Sequence, residues 1–358
     1  MKMKLEDLGY NPIIENSRNE EHLDHFEVGR ITLEHKERYI VKTLQGDFDA
    51  EITGTMRFNA QSREDFPAVG DWVALTTYDG GFAIIHAILP RFSTLQRQAV
   101  GQFGAIQIIA TNIDYAFLVQ AADRDFSINR LERYLTICNS SNVTPIIIIT
   151  KTDLIDAQLL SEIENSIKSR LEAIPLIAVS NATKSGFEKI NTLIEKGKTY
   201  CLLGSSGVGK SSLLNNLSGK EMMKTGEISE SIKRGKHVTS HRELIILENG
   251  GILIDNPGMR EVGIADTDGG LETTFDMIVR HSKNCRFRDC THTNEKGCSV
   301  LEAFNAGEID SESYENYLKM EREKAHFEST IEDKRKKEKA FGKMVNNYKK
   351  DINRKMNF

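Results

Sequence analysis

The 358-residue sequence contains no apolar run long enough to cross a bilayer. Its longest strongly apolar stretch is "PIIII" at 145–149, against the roughly twenty residues that a helical span needs. The opening "MKMKLEDLGYNPIIEN" likewise lacks the apolar centre of a secretory signal. Together these absences predict a cytoplasmic protein with no membrane partner. Internal repeats and low-complexity segments are also missing. Cysteine is sparse, five residues in all, and a reducing compartment disfavours pairing them as disulfides. Cys138 and Cys201 stand alone inside predicted elements and read as buried thiols. Cys285, Cys290 and Cys298 cluster, which points to a metal. The one tryptophan, Trp72, lies in a predicted strand and reads as a core residue rather than a base-stacking platform.

What is present is ordinary in bulk and uneven in placement. A chain of this length, 39% hydrophobic and 28% charged, has the make-up of a soluble globular protein with two or three domains. The net charge is −5, yet residues 334–358 hold ten Lys or Arg against Glu338 and Asp351. That tail carries +8 and leaves −13 on the rest, an asymmetry expected of a basic arm that meets a polyanion.

Residues 25–95 read as β structure. "RYIVKTL" and "AEITGTMRF" alternate in polarity, and "GDWVALTTYDGGFAIIHAIL" carries a hairpin turn at Asp79-Gly80. Several short strands with turn signals predict a small barrel, of which the OB-fold is one candidate. After "ILPRFSTLQRQ" the texture changes: "YAFLVQA", "PIIIIT", "PLIAVS", "TYCLLG", "ELIIL" and "GILID" alternate with helical patterns. In "SINRLERYLTICN", Ile128, Leu131, Leu135 and Cys138 share one helical face behind Ser127 as N-cap. Such alternation predicts a mainly parallel sheet covered on both faces.

The chemistry sits in that second region. "GSSGVGKS", Gly204 to Ser211, fits G-x-x-x-x-G-K-[ST] between an apolar strand and a helix. The backbone of Gly204, Ser205, Ser206, Gly207, Val208 and Gly209 would cradle phosphate oxygens, with Ser212 following in the positive first turn of the helix. Lys210 would reach the β- and γ-phosphates, and Ser211 would ligate Mg²⁺. "DNPG" supplies Asp255 for a Mg²⁺-bound water and Gly258 for the γ-phosphate. "TKTD" places Asp153 to accept from the guanine N1–H and 2-amino group, whereas adenine would set a ring nitrogen against the carboxylate. Lys151 would lay its stem along the base, and Thr150 stands where guanine sites usually have Asn. "VSNAT" offers Ser180 and Asn181 to the other side of the base. The long polar segment "TGEISESIKRGKHVTSHRE" reads as a switch in which Thr239 closes on Mg²⁺, with Ser240 as competitor.

Further on, Cys285, Cys290, His292 and Cys298 form C-x₄-C-x-H-x₅-C, a closed three-thiolate, one-imidazole set suited to one structural Zn²⁺. His281 is a competing ligand. Lys283, Arg286 and Arg288 lie around this set and the basic tail comes after it, a distribution expected to bind RNA by backbone and shape.

Taken in order, "TKTD", "GSSGVGKSS", "KHVTSHREL", "DNPGMRE" and "CRFRDCTHTNEKGC", with "VGDW" and "ILPR" before them, resemble the circularly permuted GTPases of the RsgA family. The resemblance spans nearly the whole chain. It implies an N-terminal OB-fold over 1–97, a permuted Ras-like GTPase domain over 98–274 and a zinc-binding domain with a basic helical tail over 275–358. The join between the old ends would fall near "EKGKTY", 195–200. The implied activity is Mg²⁺-dependent hydrolysis of GTP to GDP, stimulated by the small (30S) ribosomal subunit in late maturation, by a monomer that binds rRNA. Thr239 and His237 correspond to the family's switch threonine and histidine, while Val238 stands where threonine is usual. Met259 follows Gly258 where a Ras-type enzyme has glutamine, so intrinsic turnover is expected to be slow, with His237 or a partner group completing the site. Two other readings remain at this point: an RNA-binding module whose nucleotide is only a conformational ligand, and a P-loop ATPase or small-molecule kinase, which "TKTD" disfavours.

Overall fold

A computed structural model of the chain describes residues 3–35, 38–98, 106–123, 126–219, 242–255 and 269–329. They fall into two compact units, one built from the described residues up to 96 with those of 108–255 and 269–274, the other from 97–98, 106–107 and 275–329.

The first unit begins with a closed barrel. Its strands are β1 (Glu27–His35), β2 (Arg38–Lys42), β3 (Asp47–Ile52), β4 (Trp72–Tyr78) and β5 (Phe82–Ile88), in the order β1-β2-β3-β5-β4 with β4 returning to β1. Only β3 and β5 run parallel. Closure leaves no free edge, and the inward residues, among them Ile31, Val41, Val73, Leu75 and Ile85, fill the interior. This is the expected OB-like arrangement, with the hairpin at Asp79-Gly80-Gly81. The sequence pattern misleads at "AEITGTMRF". The strand stops at Ile52, and the Thr53 hydroxyl accepts the Met56 N–H at 3.2 Å, starting helix α2 (Gly54–Asn59), which follows α1 (Pro12–Glu20) in the chain. A threonine that caps a helix competes with the ladder it was expected to extend.

After the small pair β6 (Thr94–Gln98) and β7 (Ile106–Thr111) comes a mainly parallel sheet. Its strands are β8 (Tyr115–Ala121), β9 (Thr144–Thr150), β10 (Leu176–Ala178), β11 (Thr199–Leu203), β12 (Glu243–Ile246) and β13 (Ile252–Asp255), ordered β10-β9-β8-β11-β13-β12. Only β12 is antiparallel to its neighbour there. The run of isoleucines in β9 serves both faces, as the two-residue period of a strand requires. Ile147 and Ile149 pack with Leu131, Leu135 and Cys138 of α3 (Ile128–Ser140) and Ile163 and Ile167 of α4 (Ala157–Arg170). Ile146 and Ile148 pack with Phe187 and Ile190 of α5 (Phe187–Leu193) and with Leu213 and Leu214 of α6 (Lys210–Ser218). Ser127 precedes α3 as expected, but its hydroxyl makes no cap bond. Instead the buried Gln120 amide accepts the Ser127 N–H at 3.0 Å and donates to its carbonyl at 2.7 Å. A short α7 (Gly270–Thr274) lies against α3, where Thr136 and Asn139 meet the Thr274 hydroxyl.

Barrel and parallel sheet are continuous through the pairing of Leu33 with Glu243. Behind that junction lies Arg30, 1% exposed. Its guanidinium donates to the carbonyls of Leu8 (2.6 Å), Gly70 (3.1 Å) and Asn112 (2.9 Å) and to the Thr199 hydroxyl (2.9 Å). It also lies over Trp72, 5.6 Å from the ring centroid. Trp72 is fully buried and packs with Leu8, Ile14, Val28 and Leu89, so it is the core residue the sequence suggested. Burial pushes the Arg30 pKa down to about 10, opposed by the charges of Asp114 and Asp71, so the group is charged at neutrality and its hydrogen bonds go to three carbonyls and one hydroxyl.

The second unit holds α8 (Asp276–Ser282), α9 (Ser299–Asn305) and helical residues 311–329. Among the described residues no helix is long and apolar enough to cross a membrane.

Replacing Arg30 with Met should remove the donors of four buried acceptors and cost about 2–4 kcal/mol. Arg30→Lys should recover little, because one ammonium cannot span the same fork. Equilibrium denaturation reads both. A midpoint unchanged in Arg30→Met would show that the network is not a source of stability.

Candidate nucleotide site and metal centre

Every residue of β11 is buried, and the strand delivers the chain to Gly204. A Cβ at Gly204 would stand 2.4 Å from the Val119 carbonyl, so only glycine lets the loop leave the sheet this close to β8. Val208 anchors the loop in the core while Ser206 and Gly207 stay exposed at its tip. Gly209 has φ +93° and turns directly into α6, which starts at Lys210. The Lys210 ammonium rests on the loop's own carbonyls, 2.6 Å from Gly204 and 2.5 Å from Ser205. Burial lowers its pKa to about 8, opposed by the charge of Asp255 at the end of β13. Since β13 runs parallel beside β11, with Cys201 opposite Ile254, Asp255 arrives at the same edge as the phosphate loop. Ser211 and Ser212 are half-buried in the first turn of α6.

The residues expected on the base side converge on that loop. β9 ends at Thr150, which is fully buried. Its hydroxyl lies 2.5 Å from the Val208 carbonyl, to which it donates, and 3.2 Å from that of Gln120. Lys151 adopts φ +59°, and its ammonium pairs with Asp123 at 2.7 Å. Asp153 is exposed in the short 3₁₀ turn Thr152–Leu154. Ser180, 1% exposed, donates to Asp153 Oδ1 at 2.6 Å and accepts the Thr183 N–H at 3.0 Å. Asn181 Nδ2 donates to the Gly209 carbonyl at 3.1 Å, and Asn216 Nδ2 of α6 donates to the Asn181 carbonyl at 3.0 Å. The segments around Asp153 and Lys210, far apart and reversed in the sequence, are thus joined by direct hydrogen bonds.

The Thr150 hydroxyl and the Asn181 amide thus reach the phosphate loop, and Ser180 holds Asp153. A short hydroxyl on a buried strand end finds the nearest carbonyl, and Val208 supplies it. Asp123, Gln120 and Asn216 were not singled out by the sequence. Asp123 follows β8 as Asp153 follows β9, which is the one signal available. The expected Gly258, His237 and Thr239, with Val238, Ser240, Met259 and the basic tail, lie outside the described residues.

In the second unit the metal set does come together. Cys285, Cys290, His292 and Cys298 present ligand atoms all within 4.8 Å of one another. Cys285 and Cys298 sulfurs are 3.8 Å apart, and His292 Nδ1 is 3.6 Å and 3.4 Å from them. A tetrahedron with Zn–S of about 2.3 Å and Zn–N of about 2.0–2.1 Å has edges of about 3.5–3.8 Å, so the residues fit that ion. Burial lowers the His292 pKa and favours the neutral imidazole that a metal needs. Burial, followed by the neighbouring thiols, pushes Cys290 up to about 12. Cys298 is the N-cap of α9 and accepts the Leu301 N–H. His292 takes φ +60°; its carbonyl accepts from the Tyr314 hydroxyl at 2.5 Å. The Glu295 carboxylate gathers Thr291, Thr293 and Asn294 around it, and these hydrogen bonds hold its pKa at about 2. His281 is not a ligand; it lies 3.6 Å from Glu308. With four protein ligands the centre is closed, which makes it structural.

Comparison with known proteins agrees with this geometry. Residues 88–265 match the family model described as RsgA GTPase. A small ribosomal subunit biogenesis GTPase RsgA 1 of Bacteroides thetaiotaomicron is 39% identical over 92% of this chain and 91% of its own. One of the same name from Listeria innocua is 42% identical over 83% of this chain and 84% of its own. Among solved structures, YjeQ from Thermotoga maritima superposes with a TM-score of 0.62 at 25% identity, covering 85% of this chain and 98% of that one. YloQ, described as a circularly permuted GTPase, gives 0.59 at 27% identity, covering 87% and 97%.

Two outcomes are expected of the site. A lysine with a free-state pKa near 8 binds phosphate fully charged below that pH. Above it, binding must take up a proton until the higher bound-state pKa is reached. The GDP dissociation constant should therefore be flat to about pH 7.5 and about tenfold weaker at pH 9, with Lys210→Ala weak throughout and lacking this step. A step of equal size in Lys210→Ala would assign it to another group. Chelation should melt the second unit, since structural zinc contributes about 10–16 kcal/mol in small peptides. Amide protection over 285–298 that survives chelation would exclude a structural metal.

Proposed function

The chain belongs to the RsgA GTPase family, and on that premise we propose how its residues divide the work of a GTPase in small ribosomal subunit biogenesis. It hydrolyses GTP to GDP in the maturation of the small (30S) subunit. The observation that carries the residue assignment is the direct bonding of the base segment to the phosphate loop, Thr150 to Val208 and Asn181 to Gly209. One nucleotide then spans from Asp153 to Lys210.

In this reading Asp153, held by Ser180, accepts from the guanine N1–H and 2-amino group, and the Lys151 stem, steadied by Asp123, covers the base. The backbone of 204–209 and the first turn of α6 receive the phosphates. Lys210 leaves the carbonyls of Gly204 and Ser205 for the β- and γ-phosphate oxygens. Ser211, Thr239 and Asp255 hold Mg²⁺, which when bound neutralises charge on the phosphate oxygens. Water attacks the γ-phosphorus, the bond to the β–γ bridging oxygen breaks, and Lys210 with the loop N–H groups stabilises the charge that develops there. Gly258 senses the γ-phosphate. Met259 has no group to orient the water, so His237 or a group from the subunit supplies that step and intrinsic turnover is slow.

The domain limits are proposed as 1–97, 98–274 and 275–358. The barrel, the metal-centred module and the +8 tail contact rRNA through its backbone, with steep salt dependence. The protein acts as a monomer in the cytoplasm, where the subunits mature.

Single-turnover assays should show slow hydrolysis alone and strong stimulation by small subunits, abolished in Ser211→Ala. Fast turnover by the isolated protein would overturn the incomplete-site reading. Asp153→Asn should move preference from GTP toward xanthosine triphosphate; an unchanged preference would remove Asp153 as the base reader.

A further inference from the structure

The guanine-side loop is joined to the phosphate loop and α6 through two asparagine side chains, Asn181 in the loop itself and Asn216 on the helix, neither of which takes part in the hydrolysis described above. We propose that Asn181 and Asn216 are positioning residues, a clasp that fixes the base-reading carboxylate relative to the phosphate loop and so sets guanine selectivity. This rests on the reading that Asp153 recognises the base.

The connections form one path. Asn216, two turns into α6, donates from Nδ2 to the Asn181 carbonyl at 3.0 Å. Asn181 in turn donates from its own Nδ2 to the Gly209 carbonyl at 3.1 Å. Its preceding neighbour, Ser180, holds Asp153 at 2.6 Å. The base carboxylate is therefore tied to the residue before Lys210 and to the helix beyond it. The orientation of the Asn181 amide is settled chemically, because a flip would set oxygen against the Gly209 carbonyl. Its Oδ1 is buried with no hydrogen-bond partner among the described residues, so the bond to Gly209 is the one its side chain makes there. Gly209 is also part of the fit: a Cβ at that position would lie 2.8 Å from Asn181 Nδ2. The last loop glycine thus admits the amide as well as the turn into α6.

Recognition of a base by one carboxylate depends on placing both oxygens within hydrogen-bond reach of two donors, and a displacement of about 1 Å forfeits much of the gain. Phosphate binding by backbone N–H groups and Lys210 does not need the clasp. Loss of the clasp should therefore act on the base and spare the phosphates, a pattern that general loosening of the fold would not produce.

The test uses the full chain and three ligands: GDP, IDP, which lacks the 2-amino group, and pyrophosphate, which lacks the base. The variants are Asn181→Ala, Asn216→Ala and Asn216→Asp, the last of equal size but without the donor. Each should weaken GDP binding about five- to twentyfold and IDP less, so that the GDP-to-IDP preference falls severalfold. Pyrophosphate binding should be unchanged, and subunit-stimulated hydrolysis should show a raised KM with kcat retained. Equal weakening of pyrophosphate and GDP, or a GDP-to-IDP ratio that stays constant in Asn216→Asp, would overturn the clasp. Asp153→Asn in the otherwise native chain separates the two levels. If it leaves the ratio intact, the base assignment itself fails; if it collapses the ratio while the asparagine variants do not, only the clasp fails.

Discussion

The buried guanidinium of Arg30 is the constraint on which the first unit depends. A charge removed from water must find dipoles, and the four it finds come from four separate stretches of chain. Leu8 belongs to the N-terminal segment, Gly70 to the turn before β4, Asn112 to the bend just after β7 and Thr199 to the start of β11. The last of these opens the strand that delivers the phosphate loop five residues later. Barrel and nucleotide sheet are therefore held at the strand that carries the chemistry, and the β1–β12 pairing extends the same attachment through the backbone. The barrel thus sits on the strand that leads into the loop carrying Lys210.

Within the nucleotide region the reversed order of base and phosphate motifs is resolved by strand order. β11, fourth of the six strands in sequence, occupies an interior place between β8 and β13. The strands β9 and β10, which lead into Asp153 and Ser180, lie on one side of β8, and Asp255 arrives on β13 on the other side of β11. Parallel strands end at the same edge of a sheet, so the loops that leave them meet there whatever their order along the chain. Circular permutation alters the order of the motifs along the chain but leaves that edge intact. Hydrogen bonds from Thr150 and Asn181 to successive loop carbonyls then hold the two halves together before any ligand arrives.

The second unit is stabilised differently. Two of its helices, α8 and α9, have only seven residues each, and rings pack in pairs, Phe304 with Tyr314 and Phe275 with Tyr317. A four-ligand metal fits this economy, since ion binding replaces the apolar area that a small unit cannot bury. His292 carries a left-handed backbone within the ligand loop, and Tyr314 and Glu295 restrain the residues around it.

The sequence alone determined the elements whose cause is local. Strand and helix periods in β9 and α3, the turn at Asp79-Gly80, the phosphate loop and the C-x₄-C-x-H-x₅-C set are all patterns of near neighbours, and each appears in the structure. It also ordered the motifs well enough to reveal a permuted GTPase. Tertiary structure alone decided where polar side chains spend their hydrogen bonds. Thr150 and Asn181 bond to Val208 and Gly209 of the phosphate loop, and Ser180 bonds to Asp153, partners that spacing alone does not name. Ser127 stays at the N-cap with its backbone, not its hydroxyl, held by Gln120, and Arg30 carries no sequence signal for its four partners. The physical reason is range: periodicity and spacing encode contacts within a few residues, whereas a buried donor is satisfied by whichever acceptor folding brings within about 3 Å.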